Sequence, residues 1–562
     1  MRTEAVLCAF LSAFACACAT RGGPTDGTTL EAARDASAAR DAAFEAIAAA
    51  APDGQIDSGG EADAVGGGAI DWRGEVIYLV MPDRFQDGNP ANDTSGVAGC
   101  YDPSDPTKFH GGDLAGVRQR IPYLRDLGAT AIWITPQARQ VASGCGYHGY
   151  WADYAYPDDG ALEARMGTAA DLAGLAADLH TAGMHLILDL VVNHAGPAAR
   201  IVAEKSTWFH SPSTCTSLGD PNVYCPLDGL PDFAQENPAV ATYLSAMSVG
   251  WATRFSIDGI RMDTVHNVLP SYWQASFFPA IRAARPDLFV VGEDFDESSA
   301  SALLPYLDDG FDSLFDYPRY AASVSAFAGG GSVDGVANAV DDAIKTYGAA
   351  RAMAMTTFVD NHDNPRFPSR FPPGTSEAQI VARFGLALGA MFTLPGTPEI
   401  LWGDELAMYG AADPDNRRDM PPWAWTASTR AGAHPRESAG DGQLAYTRMQ
   451  TLIAARKAHP ALQRGSYVEL WRQGGGGANL YAYYRGAPAD HIVVAINVGN
   501  ASSVSLSIAA NSTLAASDRI ALSDGAVLDD ILGLGAPASV TISGGALALT
   551  LPADSMAIYA AK

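Results

Sequence analysis

From Asp71 onward, short apolar runs alternate with longer stretches whose apolar residues recur at helical spacing. Eight of the short runs read as buried strands: Val76–Met81, Ala131–Thr135, His185–Val192, Gly259–Asp263, Leu288–Glu293, Ser313–Phe315, Thr356–Val359 and Met391–Leu394. Between them, segments such as Asp171–Gly183 and Val240–Phe255 carry a single apolar face. Eight strand-then-helix units predict an α/β fold, a closed (β/α)8 TIM barrel over residues 71–460. The run from about 195 to 240 is too long and irregular for a simple strand-to-helix connection, and it predicts a small domain B inserted after the third strand. From about Gly465 the pattern shortens. Ile492–Ile496, Val504–Ile508 and Ala546–Leu551 alternate or run apolar between turn residues, which predicts a C-terminal antiparallel β-sandwich over 461–562.

The N-terminus reads differently. Arg2 precedes an apolar stretch from about Ala5 to Ala19, the layout of an export signal over residues 1–19. Small residues precede Cys16 and Cys18, so either could become a lipidated N-terminal cysteine, although the aliphatic residue usual three positions earlier is missing. Residues 20–70 are rich in Ala, Asp and Gly with few large apolar side chains, and they predict a disordered tether. No later apolar run is long enough to span a membrane. The expected setting is therefore outside the cytoplasm: secreted, periplasmic or anchored at the surface by lipid.

Charge and cysteines narrow the class. The formal net charge of −27 argues against nucleic acid and anionic lipid as partners, and leaves neutral substrates and divalent cations. Three of the seven cysteines, Cys8, Cys16 and Cys18, fall in the signal-like stretch. Cys215 and Cys225 close a short loop and form the expected pair, which leaves Cys100 with Cys145; four free thiols are the alternative.

Polar clusters recur where the expected strands end: Asp189-Leu-Val-Val-Asn193-His194, Gly259-Ile-Arg261-Met-Asp263-Thr-Val-His266, Val291-Gly292-Glu293 and Phe358-Val-Asp360-Asn361-His362-Asp363. In a TIM barrel the C-terminal strand ends share one cleft. Charged residues closing apolar strands are costly unless paired or used. Arg261, two residues before Asp263, shares its strand face and should keep that carboxylate ionised. Glu293, among apolar strand residues, can hold a raised pKa.

These four segments resemble the signature regions of the α-amylase family of glycoside hydrolases. Phe109-His-Gly-Gly-Asp113, Gly146-Tyr-His148-Gly-Tyr150-Trp151, Leu230-Pro-Asp232-Phe233 and Asp413-Pro-Asp-Asn-Arg-Arg-Asp419 fit as well. The resemblance implies Asp263 as nucleophile, Glu293 as general acid/base and Asp363 as transition-state stabiliser, acting on α-1,4-glucosidic bonds of starch-like glucans or maltooligosaccharides with retention. It implies substrate contacts from Tyr150, His148, His194, Arg261, His266 and His362. Arg366 could contact sugars farther along the cleft or form a structural salt bridge. His266-Asn267 departs from the lysine-histidine pair common in the family, which bears on acceptor preference. The resemblance also implies one or two Ca2+ ions: one at Asn193, Asp232 and the Asn267 carbonyl, one at a loop of Asp87, Asn89, Asn92 and Asp93 with Asp113. A solvated turn is the alternative for the second. A monomer is the expected state. The competing functions are a transglycosylase of the same fold and a non-catalytic carbohydrate-binding barrel, the latter expected to lack at least one of the three carboxylates.

Overall fold

The computed structural model describes residues 70–154, 162–433, 442–475 and 478–562. The expected export signal and tether, up to residue 69, lie outside the described residues. Within them, eight parallel strands form the first sheet: β1 (Ile77–Val80), β2 (Ala131–Ile134), β3 (His185–Leu190), β4 (Gly259–Met262), β5 (Phe289–Gly292), β6 (Ser313–Leu314), β7 (Thr356–Thr357) and β8 (Thr397–Leu401). They run in the order β6-β5-β4-β3-β2-β1-β8-β7. A parallel bridge between Phe315 and Thr356 joins the two ends and closes the barrel. Nearly every strand residue is buried, because one face fills the barrel and the other lies under helices.

The helices start where their sequences supply caps. Thr168 and Asp171 form a reciprocal capping box on Ala169–Thr181. Asn237 caps Pro238–Arg254, with Pro238 at its first turn, and Ser332 caps Val333–Tyr347.

One strand is displaced from its expected place. Met391–Leu394 is not the eighth strand: Met391–Thr393 is the last turn of the helix Glu377–Thr393, and the strand follows at Thr397–Leu401. Nearly all of that helix from Leu386 onward is buried, so its residues are apolar all round and lose the one-sided periodicity of a surface helix. The true strand contains Pro398 and Glu399, residue types depleted in strands. Glu399 is nonetheless buried with both carboxyl oxygens unpartnered, and burial raises its pKa well above the usual carboxylate range, with Asp360 adding to the shift.

Between β3 and the helix Pro238–Arg254 the chain makes a long excursion of short helical turns. It is tied back by bridges His194–Asp232 and Phe209–Phe233. Disulfides Cys215–Cys225 and Cys100–Cys145 both form, the second joining the loop after β1 to the loop after β2. Past the helix Pro460–Arg464 come eight antiparallel strands: β9 (Ser466–Gly475), β10 (Ala478–Ala487), β11 (Asp490–Asn497), β12 (Ser502–Ser507), β13 (Val527–Asp530), β14 (Ser539–Ser543), β15 (Ala546–Leu551) and β16 (Ser555–Ala561). Their order is β12-β15-β14-β13-β16-β11-β10-β9. The alternation of β10, β11 and β16 serves two cores. Leu480, Tyr484, Val493 and Tyr559 pack inside the C-terminal domain against Leu506, Ile542 and Leu547. Tyr481, Tyr483, Val494 and Ile558 join the barrel's core. Among the described residues no helix is long and apolar enough to cross a membrane.

The two disulfides should differ in worth. Cys100–Cys145 spans 45 residues and Cys215–Cys225 spans 10. On chain entropy alone, replacing both cysteines by serine should cost about 4 kcal/mol for the first pair and about 3 kcal/mol for the second. Denaturant titration of each double variant checks the order. Equal stability to the parent in either case contradicts it.

Candidate active site

The C-terminal ends of β3, β4 and β5 bring three carboxyl groups together around one cation. Arg261, on β4, is fully buried. Its Nη1 donates to Asp263 Oδ1 at 2.7 Å and to Asp189 Oδ1 at 3.2 Å, and its Nη2 is ion-paired with Glu293 Oε1. Register explains this. Asp189 of β3 lies beside Arg261 of β4, and Val291 of β5 lies on its other side, so Glu293 two residues on shares that face. Burial raises the Asp189 pKa to about 7, against the pull of Arg261. Burial pushes the Glu293 carboxyl well above the usual range; Arg261 opposes the shift, and Asp263 and Asp363 reinforce it.

Asp363 stands across the cleft at the end of β7. Arg417 Nη2 donates to its Oδ1 at 2.7 Å, and His362 Nε2 lies 3.3 Å from its Oδ2. Burial would raise its pKa, but His362, Arg417 and Arg261 prevail and hold it below the ordinary value. Arg417 also donates to the His362 carbonyl at 2.8 Å and to the Tyr147 hydroxyl at 3.3 Å.

The cleft floor is aromatic. The Tyr150 ring stacks on His362 with centroids 5.4 Å apart, and its hydroxyl donates to Asp189 Oδ2 at 2.7 Å. That hydroxyl can then only accept from His362 Nε2, at 2.6 Å, which fixes the imidazole tautomer. Burial lowers the pKa of His362 to about 3 and moves His148 and His194 in the same direction. All three rings are therefore neutral hydrogen-bonding groups at ordinary pH. His194 Nε2 is buried and without a partner. His266 lies apart from these rings, half-buried, with the Tyr306 hydroxyl 3.2 Å from its Nδ1 and Asp294 at 3.7 Å.

Arg366 is not a cleft residue. It is fully buried against Trp402, donates to the Asn416 carbonyl at 2.8 Å and lies 3.7 Å from Asp404, so the salt-bridge alternative is the one the geometry carries. Sequence reading gave no role to Asp189, Arg417 or Phe295. The first two lie inside segments already singled out, and Phe295 follows Glu293 by two residues, exposed at 47% and packed on Tyr317.

Two oxygen-rich places could hold a hard cation. At the first, the Asn193 amide places one polar atom 3.1 Å from Asp232 Oδ1 and 2.7 Å from the Asn267 carbonyl. At the second, Asp87 Oδ1, Asn92 Oδ1 and Asp93 Oδ1 are buried without partners. Asp113 there is already used: its Oδ1 accepts from Gly116 N and Gly88 N, and its Oδ2 accepts from Asn92 Nδ2. Asn89 is exposed, and its carbonyl accepts from Asn92 N. No group of three or more His, Cys, Asp or Glu among the described residues forms a metal cluster, so both sets depend on amide and carbonyl oxygens.

Known proteins resemble this chain in sequence and fold. Residues 79–214 and 222–465 match the α-amylase catalytic domain family. The chain is 31% identical to neopullulanase 2 of Thermoactinomyces vulgaris over 76% of its own length and 70% of the relative's. It is 30% identical to cyclomaltodextrin glucanotransferase of Geobacillus stearothermophilus over 78% of its own length, spanning only 61% of that relative. A solved Anoxybacillus α-amylase superposes with TM-score 0.73 at 30% identity, covering 88% of this chain and 98% of that one. The strand-end carboxylates, the closed barrel and these likenesses agree: the chain belongs to the α-amylase family and is an enzyme of the α-amylase-type glycoside hydrolase class.

Proposed function

We propose that the enzyme cleaves α-1,4-glucosidic bonds in starch-like glucans or maltooligosaccharides with retention, through a glycosyl-enzyme intermediate. The observation that carries this is Arg261, one guanidinium touching both Asp263 and Glu293. It supports a short carboxyl separation of the retaining kind, about 5–5.5 Å, with little room for a water between them. Asp263, held by Arg261, attacks the anomeric carbon while Glu293, protonated, gives its proton to the departing oxygen. Water then attacks the same carbon, Glu293 takes its proton, and the Asp263 carboxylate leaves. Asp363, held ionised by Arg417, faces the positive charge that develops on the sugar ring. Neutral His194 and His362 would bond sugar hydroxyls, and Tyr150 would cover a sugar's C–H face. The presence of all three carboxylates counts against a non-catalytic barrel. The exposed ring of Phe295 near Glu293, with the glucanotransferase likeness, supports a sugar acceptor as a competitor of water. Chromatography of products from starch, maltotriose, pullulan and cyclodextrins separates hydrolysis from transfer.

Calcium fits the two oxygen sets described above, where it would hold the excursion after β3 and the loop after β1 against the barrel. The two disulfides, together with the signal-like N-terminus, support work in an oxidising compartment.

Asp263→Asn and Glu293→Gln should each lower kcat by at least about a thousandfold with the melting temperature little changed. Proton NMR of the parent's first product should show the α anomer; a β anomer released first sinks the retaining mechanism.

The pH profile should follow Glu293. Its pKa is raised and its acid role needs the proton, so activity is present below that pKa and is lost as pH rises through it. The alkaline limb of kcat/KM should therefore lie well above the ordinary carboxylate range. His362 titrates near 3, so His362→Asn should raise KM without adding or removing a limb between pH 5 and 8. A limb in that window that vanishes in His362→Asn contradicts the neutral role.

Chelation should lower the melting temperature, by mass action on a ligand that binds only the folded form. An unchanged melt, with metal analysis finding no calcium beforehand, removes both ion sites.

A further inference from the structure

Thr264 stands between Asp263 and the helical turn Val265–Asn267, with φ +46° and ψ +49°. This left-handed backbone is strained for a β-branched residue; glycine, asparagine or aspartate is its usual occupant. The conformation gives the residue two contacts at once. Its N–H donates to Glu293 Oε2 at 3.2 Å, and its hydroxyl donates to Asp263 Oδ2 at 3.2 Å. Arg261 already serves the other oxygen of each carboxyl, Asp263 Oδ1 and Glu293 Oε1. Both oxygens of Asp263 and Oε2 of Glu293 thus have hydrogen-bond donors, and Glu293 Oε1 has an ion pair.

We infer that Thr264 is a positioning residue: its hydroxyl fixes the rotation of the Asp263 carboxylate relative to Glu293 and the sugar. The inference rests on the assignment of Asp263 and Glu293 proposed above. A carboxylate held at one oxygen only can turn about its Cβ–Cγ bond and present its free oxygen at many angles. A donor on each oxygen removes that freedom before substrate arrives, and a group already aligned for attack lowers the barrier. The same turn carries Asn267 to within 2.7 Å of the Asn193 amide, so the left-handed step also shapes the wall of the cleft. That backbone function alone would be served better by glycine. The hydroxyl explains why a threonine can stand there despite the strain.

Three variants separate the two roles. Thr264→Ser keeps the hydroxyl, Thr264→Val keeps the shape without it, and Thr264→Gly relieves the backbone without it. Rates on soluble starch and on 4-nitrophenyl α-maltotrioside, with thermal melts of each protein, give the readout. Serine should stay within about twofold of the parent kcat. Valine and glycine should each lose about tenfold or more in kcat with KM nearly unchanged, the size of one hydrogen bond to a charged group. A glycine variant with parental kcat, or a serine variant as slow as valine, overturns the inference. If glycine does not fold, valine against the parent decides alone, since threonine and valine have nearly the same shape and differ by the hydroxyl. Asp263→Asn belongs in the same series. An active Asp263→Asn would overturn the nucleophile assignment, and the inference with it, whatever the Thr264 rates.

Discussion

A fully buried guanidinium must be met by charge, and the Arg261 cluster is where this barrel concentrates that requirement. Asp189, Asp263 and Glu293 surround it from three adjacent strands. Three carboxyls against one cation leave an excess of negative charge in a buried place, and that excess is relieved by keeping a proton. Glu293, deeply buried and close to two other acids, is the group best placed to keep it. The same cluster that pairs Asp263 with Arg261 therefore also crowds Glu293 with acids and raises its pKa. Removing the arginine would strand several buried carboxyls, a far larger loss than the net worth of any one pair.

The cleft walls come from loops that lack strand pairing, so they are held by other means. One chain of contacts runs through three of them: the Arg84 guanidinium lies 4.1 Å from the Tyr147 ring, the Tyr147 hydroxyl meets Arg417, and Arg417 meets Asp363. The loops after β1, β2 and β8 thus share in placing one carboxylate. Cys100–Cys145 ties the first two of these covalently. Rigid scaffolding with function on its loops is the general division of labour in barrels.

The C-terminal domain is bound to the barrel by more than apolar contact. Arg485 donates to the Thr393 carbonyl at 2.6 Å and the Gly465 carbonyl at 3.1 Å. Arg456 donates to the Phe392, Leu462, Arg73 and Gly396 carbonyls. Two of these acceptors end the helix Glu377–Thr393, where carbonyls have no intrahelical donor and carry partial negative charge. Buried arginines here finish a helix and fasten the start of the next domain.

Period and composition alone determined the barrel, the excursion after its third strand and the β-rich C-terminus, because those patterns follow from which faces must leave water. They also marked the strand ends that carry acids, since a charge closing an apolar strand needs a reason. Cys215 and Cys225 were legible as a pair because ten residues separate them. The misplaced eighth strand shows where such reading fails: a helix buried all round loses its period, and a strand holding Pro398 and Glu399 carries residue types depleted in strands. Tertiary structure decided what depends on neighbours distant in sequence. Arg366 proved to be a buried support beside Asp404, although its segment adjoins the cleft. Arg417 reached Asp363 across 54 residues. The left-handed turn at Thr264 and the unpartnered oxygens of Asp87, Asn92 and Asp93 came only with coordinates. A side chain's type is written in the sequence, but its partners, and hence its charge and its work, are set by which strand register and which loop bring them within a few ångströms.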